Sequence, residues 1–237
     1  MTTTSATSAT GAVQLVEAER PAEVAAFRRR VAGACLVLAP LAFAAAELLA
    51  PEGEGTARQI LDAWVAHRSA GLASCFAGLV ATLLFLPGIF GMVEPLVGRG
   101  RRAGHIAVGT ILYGLVMAHA ALVGVNLVFY TMTDPSLGHG QMVRLGGVLL
   151  HEAPVGGPLL LGHYVFSIGI VALGIAVIRS GRYPRWTGIA LIIALVTDMS
   201  LGSVPTPDHV GDLVSEAFLV AGFGAIGWQL LTGRSRS

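Results

Sequence analysis

Five ionisable side chains stand where hydrocarbon is expected: Glu47, His119, His163, Asp198 and Glu216 each fall inside a long apolar run. Such a group costs about 2.5–3.5 kcal/mol on membrane-insertion scales, so each calls for a partner or a function. The residue types are those of proton transfer. A carboxylic acid among aliphatic side chains resists ionisation and can act as a general acid, and a neutral imidazole can take the proton back. Asp198 fits the acid best, because its helical stripe carries Leu191, Ala194, Leu195 and Leu201. Glu47 or Glu216 would be its partner acid, and His119 or His163 the closing base. Asn126, Tyr130, Tyr164 and Phe166 are the expected substrate contacts. His119, Asn126 and Tyr130 are seven and then four residues apart and so share one stripe.

The elements that must position these groups are long and apolar. Of 237 residues, 54% are hydrophobic and 12% charged, and the mean hydropathy is +0.72. Six stretches match the roughly 20 residues that a membrane helix needs: Val31–Ala50, Ala70–Leu96, His105–Tyr130, Pro158–Ile178, Trp186–Val204 and Leu213–Leu231. The runs are too long for membrane strands and lack their apolar/polar alternation. The expected fold is all-α, a polytopic membrane bundle of six transmembrane helices. Residues 1–30 read as a disordered tail followed by a helix on the cytoplasmic surface, 31–231 as the membrane domain, and 232–237 as a short basic tail.

Arginine sets the orientation. There is no lysine, and the arginines gather in alternate gaps: Arg20 with Arg28–Arg30, then Arg99, Arg101 and Arg102, then Arg179, Arg182 and Arg185, then Arg234 and Arg236. Only Arg58, Arg68 and Arg144 occupy the other gaps. Positive charge collects on the cytoplasmic side, which places both termini there. Depth follows from orientation. Glu47 lies roughly 24 Å above the start of its run and Asp198 about 18 Å above Trp186, while His163 and Glu216 are roughly 5–8 Å below the outer edge. Every intramembrane polar group therefore falls from midplane to the outer half. A cavity open to the outside, roofed by the long gap Thr131–Gly157, is the economical picture. Within that gap Gln141–Glu152 reads as a surface helix, and Ala57–His67 is an amphipathic stretch of the gap before it.

Other chemistry is poorly served. Dispersed arginines and a net charge of +1 argue against a nucleic-acid binder. Cys35 and Cys75 differ in depth by on the order of 15 Å, beyond disulfide reach. His67, His151, Glu152, Asp208, His209 and Asp212 are zinc-compatible types at irregular spacing, so no metal is expected. No phosphate-binding glycine loop, nucleophile elbow or nucleotide fingerprint occurs, and no cofactor is implied. A signal-peptide pattern exists around Arg28–Ala46, but the tail before it is unusually long.

Two resemblances bear on the class. The segment Ile178–Ile189, with Ser180, Gly181, Pro184 and Arg185 as turn formers and anchors, resembles a loop of an uncharacterised family of bacterial multi-pass membrane proteins. That likeness implies a fold and no chemistry. In size, span count and intramembrane acids the chain also resembles small integral-membrane terpene cyclases, which implies acid-initiated ring closure of an isoprenoid. Three readings stay open. The polar groups fix helix packing, or they form an enzyme for an apolar small molecule or lipid, or they serve a proton-coupled carrier of small solutes. The aromatic content of 7% weighs against carbocation chemistry, and the lack of an internal repeat against a carrier.

Overall fold

The computed structural model describes the backbone of residues 8–51, 55–94, 96, 99–151, 153–201 and 210–233, with side chains at 23–51, 55–94, 96, 101–118, 121–149, 157, 161–200 and 213–233. No strand occurs among the described residues. Eight helices follow in order: α1 Ser8–Leu49, α2 Ala57–Ala66, α3 Arg68–Val93, α4 Arg99–Met132, α5 His139–His151, α6 Ala153–Ser180, α7 Arg185–Leu201 and α8 Val210–Thr232. Local chemistry explains several boundaries. Thr56 opens α2 with a capping box: Gln59 N donates to Thr56 Oγ1 at 3.4 Å, and Thr56 N donates to Gln59 Oε1 at 2.9 Å. Gly181 takes the left-handed conformation that ends α6, with φ of 63°. Ser180 Oγ accepts from Arg182 N at 3.2 Å. Pro184 O then accepts from Thr187 N at 3.0 Å at the start of α7.

The N-terminal segment differs from its expected form. Residues 8–30 run into the first apolar stretch as one 42-residue helix, with no separate surface helix. Ala22, Glu23, Ala25, Ala26 and Arg28–Arg30 are strong helix formers and carry the helix on past Pro21, which lacks the N–H of an interior helical position.

Six helices close a ring in which each packs on the next: α1 on α3, α3 on α4, α4 on α6, α6 on α7, α7 on α8, and α8 back on α1. The short α2 and α5 pack on each other outside that ring. Five helices are long and apolar enough to cross a membrane, within α1, α3, α4, α6 and α8. The described part of α7 has 17 residues, about 25 Å at 1.5 Å each, against a hydrocarbon thickness of about 30 Å.

Glycines let the ring close. A Cβ on Gly33 of α1 would lie 2.6 Å from Gly227 O of α8. On Gly188 of α7 it would lie 2.5 Å from Gly174 O of α6. Gly162 of α6 meets the backbone of Ala118 of α4 in the same way. Backbones this close gain the van der Waals contact that holds helices together where lipid is as apolar as leucine. Buried Leu36, Phe85, Ile89, Met92, Phe223 and Ile226 then fill the arginine-rich half of the interior. Phe85 and Phe223 meet edge-on with centroids 5.5 Å apart. Large apolar side chains also face outward, Phe76 at 61% exposure, Leu83 at 66% and Ile106 at 70%. An apolar surface around a packed core is what a lipid solvent favours. Trp186 and Trp228, both exposed near the arginine-rich end, suit the aromatic belt at an interface.

Tyr183, in the loop between α6 and α7, is buried and donates its hydroxyl to Met92 O of α3 at 3.2 Å. Burial pushes its phenol well above the ordinary value. Its neutral form is thus favoured in the fold. The associated stability is intact below the unfolded value near 10 and is lost as pH rises beyond it. Tyr183→Phe should lower the melting temperature at pH 8, while making the loss between pH 9.5 and 11 shallower than in the wild type. Adding a Cβ at Gly188 should cost about 1–3 kcal/mol through overpacking. Gly109→Ala, where no atom lies within 4 Å of the new Cβ, should be neutral or stabilising. Paired thermal melts in detergent check both.

Candidate functional site

Four helices each deliver one ionisable side chain to the end of the ring away from the arginine clusters. The carriers are short helical stripes. Phe43 and Glu47 come from α1, Ala118 and Leu122 from α4, and His163, Phe166, Ser167 and Ile170 from α6. Ala194, Leu195 and Asp198 come from α7, and Ser215, Glu216 and Leu219 from α8. Residues three, four and seven apart lie on one helix face, so each stripe points the same way. Together they line a cavity of about 380 Å³, within the roughly 300–1,000 Å³ usual for small-molecule sites.

Its polarity is graded. His163 Nε2 lies 3.2 Å from Asp198 Oδ2, which joins α6 to α7. Their side chains are 47% and 30% exposed, whereas Glu216 is 7% exposed. The imidazole–carboxylate pair therefore stands at the mouth and Glu216 at the buried side. Two serine hydroxyls fix the helices that carry the acids. Ser74 Oγ of α3 donates to Ala46 O at 2.7 Å, beside Glu47. Ser215 Oγ donates to Ala194 O at 2.8 Å, beside Glu216. Ser167 is 1% exposed and its Oγ has no hydrogen-bond partner among the described residues. Among the described residues, no arginine lines the cavity.

The structure brings Glu47, His163, Asp198, Glu216 and Phe166 together. It does not bring Asn126, Tyr130 or Tyr164 to them. Tyr130 belongs instead to a second apolar cluster of Leu61, Trp64, Cys75, Phe129 and Met132, with Arg68 4.8 Å above its ring. Tyr164 is exposed and meets His163 edge-on at 6.0 Å. His119 lies outside the described side chains, as do His151, Glu152, Asp208, His209 and Asp212. Among the described residues, no three histidines, cysteines or acids are grouped to hold a metal. Cys35 and Cys75 are buried free thiols.

The expected roof is also displaced. No described residue of the gap Thr131–Gly157 lines the cavity. Helix α5 packs on α2, and His139 Nε2 reaches Asp62 Oδ1 at 3.2 Å. Trp64 of α2 stacks on Phe129 of α4 at 6.1 Å. The turn into α5 is made by Asp134, whose Oδ1 accepts from Ser136 N at 2.8 Å and Ser136 Oγ at 2.6 Å. Those bonds hold its carboxyl below the usual carboxylate range. Sequence reasoning did not single out Phe43, Ser167, Ser215 or Leu219. Each lies one, three or four residues from a buried acid or histidine, and that spacing was the available signal.

The fold and the cavity define an all-helical bundle of membrane-spanning type with an acid-rich apolar chamber. No protein family, curated protein or solved structure matches this chain.

Ser215→Ala should lower stability by about 1 kcal/mol, the net worth of one hydrogen bond. It should do so without changing helix content, as read by a thermal melt alongside circular dichroism.

Proposed function

We propose that this is a six-span protein of the cell membrane, with both termini cytoplasmic, that works as an enzyme on an apolar, isoprenoid-like small molecule by an acid-initiated step. The observation that carries the reading is the convergence of Glu47, His163, Asp198 and Glu216, from four helices, on one mainly apolar cavity. A shared chamber of about 380 Å³ has room for a guest. Taken as the sixth span, α7 keeps the ring antiparallel and leaves every arginine cluster on one side. The chamber then opens towards the outer half of the membrane.

The roles follow from burial and pairing. Glu216, the most enclosed carboxyl, delivers a proton to an olefin or epoxide of the bound molecule. A carbon–carbon bond closes onto the resulting cation, and a neighbouring C–H proton leaves for the His163–Asp198 pair. That pair is better placed as acceptor than as donor, because Asp198 orients the imidazole and stabilises it when charged. The partly exposed His163–Asp198 pair releases that proton to solvent, Glu47 relays a solvent proton back to Glu216, and the sum is an isomerisation that needs no cofactor. Phe43 and Phe166 can present ring faces to the cation. A carrier is less well supported, because Leu36, Phe85, Ile89 and Phe223 fill the other half of the bundle with apolar side chains.

The test is incubation of the protein in lipid nanodiscs with linear C10–C15 isoprenoids and their epoxides in D2O. The expected product is an isomer carrying one deuterium. Glu216→Gln and Asp198→Asn should each lower turnover by at least about 10²-fold, the lower range for a lost acid or base, with melting temperatures within a few degrees of wild type. Absence of any isomerised product, or wild-type turnover in both variants, would sink the reading.

A further inference from the structure

The chamber's charge inventory points to the class of ligand it holds. Among the described residues, three carboxyl groups, from Glu47, Asp198 and Glu216, face it against one imidazole, and the rest of the described lining is apolar or hydroxylic. The imidazole is already engaged by Asp198 at 3.2 Å. An acid that gives up its proton to a guest amine gains a counter-ion, and at low effective dielectric that attraction offsets the cost of taking both charges out of water. Such a guest must also be mostly apolar to fill the space between Phe43, Phe166 and Leu219. An independent feature indicates a hydrogen-bonding group on it. Ser167 lines the chamber at 1% exposure, with Oγ lacking a partner among the described residues. A buried hydroxyl left so costs about 1–3 kcal/mol, and a turn about χ1 lets it accept from a guest N–H.

We infer that the chamber binds a lipophilic ammonium ion, a protonated amine on an apolar body of roughly ten to fifteen carbons. The charged nitrogen sits among Glu47, Glu216 and Ser167, and the apolar body lies against Phe43 and Phe166. This proposal uses the same chamber as the enzymic reading but needs no turnover, so the two stand or fall separately.

The experiment is calorimetric titration of the full chain in phosphatidylcholine nanodiscs with N,N-dimethylgeranylamine. The reference is the hydrocarbon in which CH replaces the protonated nitrogen, and empty discs are subtracted. The amine should bind at least tenfold more tightly than the hydrocarbon. Glu47→Gln and Glu216→Gln should each weaken the amine by fivefold or more while leaving the hydrocarbon unchanged, and Ser167→Ala should weaken it two- to fivefold. Equal affinity for amine and hydrocarbon would overturn the proposal. Undiminished amine binding in both carboxamide variants would also overturn it. Should either variant fail to fold, the wild-type comparison of amine with hydrocarbon decides alone. Amine binding without isomerised product would remove the enzymic reading and keep this one. Product without amine preference would do the reverse.

Discussion

The cost of placing an ionisable group in hydrocarbon is the constraint on which this structure turns. Three acids and a histidine sit in long apolar helices, and no one of them is cheap alone. The fold meets that cost by convergence. Alternating helix direction brings the far end of α1, the near end of α6, the far end of α7 and the near end of α8 to one level. Glu47, His163, Asp198 and Glu216 then surround a common space. Close backbone approach at glycine makes the ring tight enough to hold it. The packed apolar half below confines polarity to one end.

Division of the interior into a dry half and an acid-rich half links packing to chemistry. Where Leu36, Phe85 and Phe223 interlock, the described lining holds no acid or histidine. Where the chamber opens, His163 pairs with Asp198, and Glu47 and Glu216 line the same space. Ser74 and Ser215 tie the acid-bearing segments to adjacent helices through backbone carbonyls, which fixes the rotation of α1 and α8 about their axes. A Cβ added at a glycine crossing and a hydroxyl removed beside an acid therefore perturb the same geometry from different directions.

Much of this architecture was legible in the sequence. The apolar runs marked the helices, Gly181 marked a boundary, and Asp198, Glu216, Glu47 and His163 stood out because hydrocarbon tolerates so few such groups. Rotation and neighbours were less legible. The stripe through Asn126 and Tyr130 was read correctly as one helix face, but α4 is 34 residues long and its last turns leave the ring. There Tyr130 meets Arg68 and the α2 cluster instead of the chamber. Periodicity says which residues share a face and is silent about what that face meets. The same gap explains the displaced roof. Met142 and Leu149 of α5 do cover apolar surface, but that surface belongs to Trp64 and Phe129. Asp198 looked solitary because its partner is contributed by another helix.

The central claim is that the buried acids and histidine share one chamber opening away from the arginine clusters. The most direct measurement is labelling of single cysteines by a membrane-impermeant methanethiosulfonate added outside intact cells, in a Cys35→Ala, Cys75→Ala background. Cysteines at 47, 163 and 198 should react from outside and be protected by a bound apolar guest, whereas cysteines at 36 and 89 should not react. Labelling of the first set only from the cytoplasmic side, or equal labelling of both sets, would contradict the account.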